Sequence, residues 1–168
     1  MNYHNITHDD MNNGDGLRVV LWVAGCEHHC KDCQNPVTWN PADGIPFGLQ
    51  DREELYQELR KDYIAGITFS GGDPLHPNNR AEVDNLMREV KQDFPDKTIW
   101  VYTGYAWEEI MQQHDLTRLM ESVDVLVDGR FVTELKDVTY PWAGSTNQRV
   151  IDVSQTLKEG RIILHESH

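Results

Sequence analysis

The sequence predicts an α/β domain in which parallel strands alternate with helices. Short β-branched or apolar runs, typical of buried strands, recur along the chain, and longer segments with helical periodicity separate them. Strands that alternate with helices in this way pair in parallel through right-handed crossovers. Glycine-containing motifs follow the predicted strands, at the ends where folds of this class bind their ligands.

The length of the chain restricts the choice of α/β fold. Its 168 residues, of which 39% are hydrophobic, are enough for one compact core. A complete eight-fold barrel usually needs about 250 residues. The residues alone therefore predict either a doubly wound sheet or an open part-barrel.

The first part of the chain is predicted to alternate strands and helices. Residues 17–25 form an apolar, β-branched run that ends at a glycine and leads directly into Cys26. Residues 51–63 have apolar side chains at helical spacing after a capping-box pattern, and residues 65–70 form the next strand. A second amphipathic helix is expected at residues 79–94, before a proline.

The second part of the chain continues the alternation and then loses it. A strand is expected at residues 97–104, and a helix is expected from residue 107 to residue 121, broken near His114. The remaining segments are a strand at 123–129, mostly loop at 130–148, and short strands at 149–153 and 161–164.

Composition restricts the classes of partner. The chain has 28 acidic and 15 basic side chains, a net charge of −13, which repels phosphate backbones and anionic lipid headgroups. We therefore expect neither nucleic acid nor membrane as a partner. The amino terminus has no signal-peptide pattern, and no window approaches the roughly 18 apolar residues of a membrane span. The sequence predicts a cytoplasmic protein.

All three cysteines, Cys26, Cys30 and Cys33, lie within eight consecutive residues. On a helix they would share one face, but their neighbours are polar on all sides, which favours a solvated loop. An odd number of cysteines in a reducing compartment argues against a disulfide framework. Clustered thiols in such a protein usually bind a metal or perform redox chemistry.

Two kinds of metal site fit these thiols. A structural zinc site would need a fourth ligand, which His28 or His29 could supply, although such sites usually use two separated ligand pairs. An iron–sulfur cluster suits closely spaced thiolates, and a cubane held by three of them would leave one iron open. An open position is typical of a catalytic metal site.

Several motifs in combination resemble those of the radical S-adenosylmethionine enzymes. The Cys-x3-Cys-x2-Cys loop follows the first predicted strand, and Ser70-Gly71-Gly72-Asp73-Pro74 closes the second. Asp32 stands where many of these enzymes have an aromatic residue. Other segments are similar to the activases of glycyl-radical enzymes, in particular those of anaerobic ribonucleoside-triphosphate reductase: residues 13–18, 102–105, 125–129 and 144–150.

The resemblance covers about residues 1–153 and implies one domain there, an open partial (βα) barrel of the radical S-adenosylmethionine type with helices outside. Residues 154–168 form an extension of unassigned role. The resemblance implies one [4Fe-4S] cluster on Cys26, Cys30 and Cys33, with S-adenosylmethionine chelated to the open iron, and no catalytic side chain beyond these ligands. It places the S-adenosylmethionine contacts at Asp32, Cys33, Gln34, Gly71, Gly72, Asp128 and Arg130.

The resemblance also implies a function. A 5′-deoxyadenosyl radical would abstract hydrogen from a glycine of anaerobic ribonucleoside-triphosphate reductase, after reduction by a flavodoxin-like or other low-potential electron donor. Two alternatives remain open: an enzyme that activates another glycyl-radical enzyme or performs radical chemistry on a small substrate, and a structural zinc module that only binds partners.

For four side chains the sequence is compatible with two different roles. Asp73 either caps the turn that follows it or contacts ligand, and Arg130 either contacts ligand or faces solvent. His28 and His29 are expected to tune solvation and docking rather than to bind metal, and the sequence does not say whether they face the cluster or the partner.

Overall fold

The computed structural model describes residues 1–26, 28 and 39–166. Within that part of the chain the fold is mixed α/β, with a single sheet of seven strands in the order β3-β1-β2-β4-β5-β6-β7. The strands are β1 Asn2–Asp10, β2 Leu17–Val23, β3 Ile45–Pro46, β4 Ile64–Gly71, β5 Thr98–Tyr102, β6 Val125–Asp128 and β7 Arg149–Asp152. The α-helices are α1 Leu49–Leu59, α2 Arg80–Asp93, α3 Trp107–Met111, α4 His114–Leu119 and α5 Val153–Glu159. Short 3-10 turns lie at Met120–Ser122 and Thr133–Leu135.

The centre of the sheet is parallel and its edges are antiparallel. Strands β2, β4, β5 and β6 pair in parallel, as the alternation predicts. By contrast, β1 pairs antiparallel with β2 and β3, and β7 pairs antiparallel with β6. The expectation of parallel pairing is therefore wrong for the predicted strand at 149–153, and the antiparallel edge formed by β1 and β3 was not predicted. The link between β1 and β2 is too short for a parallel crossover, and no α-helix lies between β6 and β7.

Most predicted elements are confirmed, with shifted ends. The helix predicted at residues 51–63 is α1, which ends at Leu59, so Tyr63 lies outside it and is 57% exposed. The predicted break near His114 is confirmed, because α3 and α4 are separate helices. Residues 161–164 do not form a strand, since only Leu164 makes an isolated bridge, to Ile151.

Three elements were not predicted, and one of them is the two-residue strand β3. Strand β1 has a single buried residue, Tyr3, and is rich in polar side chains, so it has no apolar run that would predict a strand. Helix α5 follows β7 directly and is capped by Asp152, which accepts a hydrogen bond from Gln155 N at 3.0 Å. Beyond α5 the chain returns along β7, where His165 N donates to Val150 O at 2.8 Å.

The two faces of the sheet are covered differently. On one face the main core packs α1 and α2 against the central strands, with Leu55, Phe69 and Met87 fully buried. On the other face Trp100 is buried among Val125 and Val127, and Trp142 of the long loop packs on it with ring centroids 5.6 Å apart. The second face therefore has a loop as its cover rather than a helix.

A buried arginine joins three strands on this second face. Arg18 of β2 has no exposed surface, and its guanidinium lies 5.6 Å from the centre of the Trp100 ring. Its donors make five hydrogen bonds of 2.7–3.0 Å, to Thr68 Oγ1, Asp15 O, Thr98 Oγ1, Ile67 O and Thr98 O. All five N–H groups of the guanidinium therefore have acceptors.

His165 completes this region by reaching back to the amino-terminal part of the chain. Its Nε2 lies 2.7 Å from Asp15 Oδ2, and its ring stacks edge-on to Trp100. Among the helices in the described ranges, none has both the length and the apolar character that crossing a bilayer requires.

Candidate functional site at the carboxyl ends of the parallel strands

A small cavity lies where β2, β4, β5 and β6 end. Its volume is about 130 Å³, and backbone-rich segments from all four strand ends line it together with Cys26. The lining includes Gly71 and Gly72 after β4, Thr103 and Gly104 after β5, and Gly129 after β6. The structure thus brings Cys26 to the glycine motif, as expected for motifs that follow neighbouring parallel strands.

Close backbone contacts hold the ends of β2 and β4 together. Gly71 has φ +107°, and a Cβ there would come within 2.5 Å of the backbone N and O of Val23. Gly72 N donates to Val23 O at 2.8 Å, and Asp73 N donates to Gly25 O at 2.6 Å. Gly71 is therefore glycine because a side chain would separate the two strands.

The carboxylate of Asp73 joins the turn after β4 to the residues that follow β5. It accepts hydrogen bonds from Leu75 N at 2.9 Å, from Thr103 Oγ1 at 2.9 Å and from Gly104 N at 3.0 Å. The contact to Leu75 is the turn-capping role that the sequence suggested, and the contacts to β5 are additional. Asp73 has no exposed surface and acts as a structural hub.

His28 is the fourth group that contacts Asp73. Its Nε2 lies 2.6 Å from Asp73 Oδ2, and its ring stacks edge-on to Tyr105 with centroids 4.6 Å apart. The expectation that His28 tunes solvation and docking is wrong, because its side chain is only 2% exposed. Potential ligand atoms of Cys26, His28 and Asp73 all lie within 4.8 Å of one another.

The residues at the end of β6 are held by ion pairs. Asp128 is buried and accepts from Trp107 N at 2.8 Å and from Arg149 Nη2 at 2.6 Å. The hydrogen bond to Glu108, followed by that to Asp128, raises the pKa of Arg149 above its usual range. Arg130 lies at the rim, about half exposed, and pairs with Glu109 at 3.1 Å.

A larger cavity of about 390 Å³ adjoins the first one. The two share lining residues Ser70, Tyr102, Phe131 and Gln148. Burial raises the pKa of the Tyr102 hydroxyl, and among the described residues no group forms a hydrogen bond with that oxygen. Sequence reasoning gave Tyr102 no role of its own. Its position at the end of a predicted strand, before Thr103-Gly104, was the available signal.

Cys30, Asp32, Cys33 and Gln34 lie outside the residues that the structure describes, and so do His29 and Asn35. Of the predicted cluster ligands, Cys26 alone lies within them. Of the predicted S-adenosylmethionine contacts, Gly71 and Gly72 line the cavity with it, whereas Asp128 and Arg130 flank a lining glycine.

Comparison with known proteins identifies the family. A family model described as "4Fe-4S single cluster domain" matches residues 12–151. The chain is 45% identical over 150 residues to the anaerobic ribonucleoside-triphosphate reductase-activating protein of enterobacteria phage T4, with 89% of this chain and 93% of that protein covered. The chain belongs to the anaerobic ribonucleoside-triphosphate reductase-activating proteins.

Bacterial members of this family of activating proteins match over similar lengths. The protein of Escherichia coli K12 is 40% identical over 152 residues, covering 89% of this chain and 97% of that protein. The protein of Pasteurella multocida is 37% identical over 157 residues, covering 92% and 99%. The family resemblance inferred from the motifs is therefore confirmed.

Family membership supports an iron–sulfur cluster in this activating protein, and the described residues fit one. Cys26 supplies a soft thiolate, the ligand type that iron–sulfur clusters use. It lines a cavity to which glycines at the ends of three neighbouring strands also contribute, Gly71 and Gly72 at the end of β4, Gly104 after β5 and Gly129 after β6. Gly25 before it has φ +103°, and a Cβ there would lie 2.9 Å from Pro41. The turn into Cys26 therefore requires glycine.

Proposed function

We propose that this chain is a cytoplasmic radical S-adenosylmethionine enzyme that installs a glycyl radical on anaerobic ribonucleoside-triphosphate reductase. The printed names of its relatives, which are activating proteins of that reductase, support the choice of partner. The observation that carries the proposal is the meeting of Cys26 with Gly71 and Gly72 in one cavity at the strand ends. The proposed architecture is an open partial (βα) barrel over residues 1–153, with 154–168 as an extension.

One [4Fe-4S] cluster on Cys26, Cys30 and Cys33 would supply one electron, received from a flavodoxin-like donor, to split S-adenosylmethionine into methionine and a 5′-deoxyadenosyl radical. The chain's own residues would bind S-adenosylmethionine, orient it and shield it from solvent. A hydrogen atom taken from a glycine Cα of the reductase would then complete 5′-deoxyadenosine and leave the unpaired electron on that glycine.

The glycine motif is proposed to bind the methionine end of S-adenosylmethionine. An ammonium group needs hydrogen-bond acceptors, and Gly72 N already donates to Val23 O. The carbonyl groups of Gly71 and Gly72 are therefore the proposed partners. At Gly71 the missing Cβ makes room for the Val23 backbone, so the glycine holds these carbonyl groups beside the end of β2.

The adenosine end is proposed to lie toward the loop after Cys30 and the end of β6. Backbone groups of Asp32, Cys33 and Gln34 are the proposed contacts on the loop. At β6, Asp128 orders the strand end through Arg149, and Arg130 offers a half-exposed guanidinium at the rim.

The larger cavity is proposed to admit the glycine-bearing segment of the reductase. It adjoins the smaller cavity lined by Cys26 and shares Ser70 and Tyr102 with it. A segment bound in the larger cavity would therefore lie next to the proposed site of S-adenosylmethionine cleavage. Tyr102 lines both cavities, and its hydroxyl, which is buried and has no hydrogen-bond partner among the described residues, is the proposed donor to this segment. A bound protein segment would also exclude water and oxygen, the task that a lid performs in other enzymes.

Anaerobic reconstitution tests the function. The expected protein is brown, with about four iron and four sulfide per chain, and forms methionine and 5′-deoxyadenosine from S-adenosylmethionine when reduced. With the reductase added, electron paramagnetic resonance should show a glycyl doublet. A colourless protein that holds zinc and cleaves nothing would overturn the proposal. Cys26→Ala is expected to abolish both cleavage and the doublet.

One observation favours a structural zinc module as the second candidate. The donor atoms of Cys26, His28 and Asp73 lie close enough to share an ion. Elemental analysis of the purified chain separates the two, because the module predicts zinc and the enzyme predicts iron with sulfide. Activation of a different glycyl-radical enzyme would show as cleavage of S-adenosylmethionine without a doublet on this reductase.

A further inference from the structure

The contact between His28 and Asp73 has the features of a buried positioning device. Its two side chains are 2% and 1% exposed, and the contact distance is 2.6 Å. His8 and Glu54 make a contact of the same length on the surface, where the side chains are 43% and 41% exposed. Burying two such polar groups costs free energy unless their hydrogen bonds are satisfied. The buried pair therefore needs a compensating set of partners.

Asp73 has that set of partners. Leu75 N, Thr103 Oγ1 and Gly104 N all donate to its two oxygens. A carboxylate only accepts hydrogen bonds, so Nε2 of His28 is the donor in their contact. With four donors around it, Asp73 is a satisfied anchor, and His28 is the one partner that comes from the cysteine loop.

The imidazole of His28 also fits a slot that is shaped for a ring. A Cβ on Gly104 would come within 2.4 Å of His28 Cδ2, so a side chain there would displace the ring. Tyr105 packs edge-on against its other side. Packing and hydrogen bonding together fix the orientation of the imidazole.

His28 is two residues from Cys26 and two from Cys30, and Asp73 directly follows Gly72. One hydrogen bond therefore joins the loop that carries the proposed cluster ligands to the motif that would bind S-adenosylmethionine. We propose that His28 is a positioning residue that, through Asp73, holds the cysteine loop in register with the glycine motif at the ends of β4 and β5. The inference rests on the proposed function and adds a residue to it.

The test compares His28→Ala with the wild-type protein after anaerobic reconstitution of both. The first readout is the rate at which an iron chelator removes iron, which should rise about tenfold or more, as for the loss of other groups that orient metal ligands. The second is the electron paramagnetic resonance spectrum of the reduced cluster. The change that S-adenosylmethionine causes in it should need about tenfold more ligand in the variant.

Three further variants separate positioning from general destabilisation. His8→Ala removes the matched surface contact and should leave both readouts unchanged. His28→Gln keeps a donor for Asp73 and should recover part of the loss, which keeps the test valid if His28→Ala does not fold. Asp73→Asn should release iron faster, since it weakens the His28 contact together with those to Thr103 and Gly104, and adding His28→Ala to it should cause a smaller further increase than His28→Ala causes alone, because the shared contact is already weakened.

The outcomes are distinguishable. If the wild-type protein holds no cluster, the proposed function fails and the inference fails with it. If the wild type holds a cluster and responds to S-adenosylmethionine, but His28→Ala behaves identically, the inference alone is wrong. Equal defects in His28→Gln and His28→Ala, or strictly additive effects in the double variant, would also overturn it.

Discussion

Replacing the buried Arg18 with methionine should destabilise the fold strongly while leaving the proposed catalytic residues in place. Methionine resembles the arginine stem in length but has no N–H donor, so all five hydrogen bonds are lost. The acceptors include the buried backbone oxygen of Ile67 and the partly buried backbone oxygen of Thr98. Their loss of a partner is the main cost.

The size of the effect follows from two opposing quantities. Hydrogen bonds from a charged donor contribute about 1.5 kcal/mol each at the low end, so five give roughly 7 kcal/mol. Burial lowers the pKa of Arg18 from 12.5 to about 10. At about 1.4 kcal/mol per pKa unit, keeping the charge buried costs roughly 3 kcal/mol, which methionine would recover. The expected net loss is about 4 kcal/mol, within the range known for broken buried charge networks.

Urea denaturation of the reduced, cluster-free protein, followed by circular dichroism, measures this loss. The matched control is Arg60→Met, because Arg60 is 54% exposed and its pair with Glu53 should contribute less than about 1 kcal/mol. If Arg18→Met and Arg60→Met lower the free energy of unfolding by the same small amount, the reasoning about Arg18 is refuted. Arg18→Lys should recover little, since a lysine has three donors at one point rather than five in a plane.

Three other changes give distinct expectations. Gly71→Ala should lower the free energy of unfolding by about 2 kcal/mol or more, because its Cβ would meet the Val23 backbone at a positive φ; a urea midpoint equal to that of the wild type contradicts this. The hydrogen bond from Arg149 holds the pKa of Glu108 below 4.5, so the stability that it contributes is present above about pH 4.5 and is lost as pH falls through the folded-state pKa. Glu108→Gln should therefore reduce stability at pH 7 and flatten its decline in acid, and an unchanged pH profile argues against it. Tyr102→Phe should leave unfolding and uncoupled cleavage of S-adenosylmethionine unchanged, since its hydroxyl has no internal partner in the described chain, but should lower the glycyl-radical yield on the reductase about tenfold; an unchanged yield would exclude a contact with the segment.

The parts of the fold that could be predicted are those with a strong local signal. Strands β2 and β4 and helix α2 have continuous apolar runs or clear helical periodicity, and all three are confirmed. Strand β1 has neither, because one of its faces is exposed and its stability comes from pairing with β2. The antiparallel pairing of β7 depends on the path of a long loop, which has no sequence period.

The candidate site also contains residues that the sequence could predict and residues that it could not. Spacing and motif alone identified Cys26, Gly71 and Gly72, and the structure brings these three together. Nothing in the sequence distinguishes the inward-facing His28 from its neighbour His29, because the partner of His28 lies 45 residues away. Contacts between distant segments are the part that composition and periodicity do not encode.

The contact between His165 Nε2 and Asp15 Oδ2 joins positions 150 residues apart. Closing so long a loop costs chain entropy, so this contact is expected to form after the hairpin of β1 and β2 and after the neighbouring parallel pairs. Asp15 lies in the segment that leads into β2, and β2 leads to Cys26. Iron inserted early would therefore bind before the contact between His165 and Asp15 has formed. Iron inserted later would bind to a chain in which that contact is already in place.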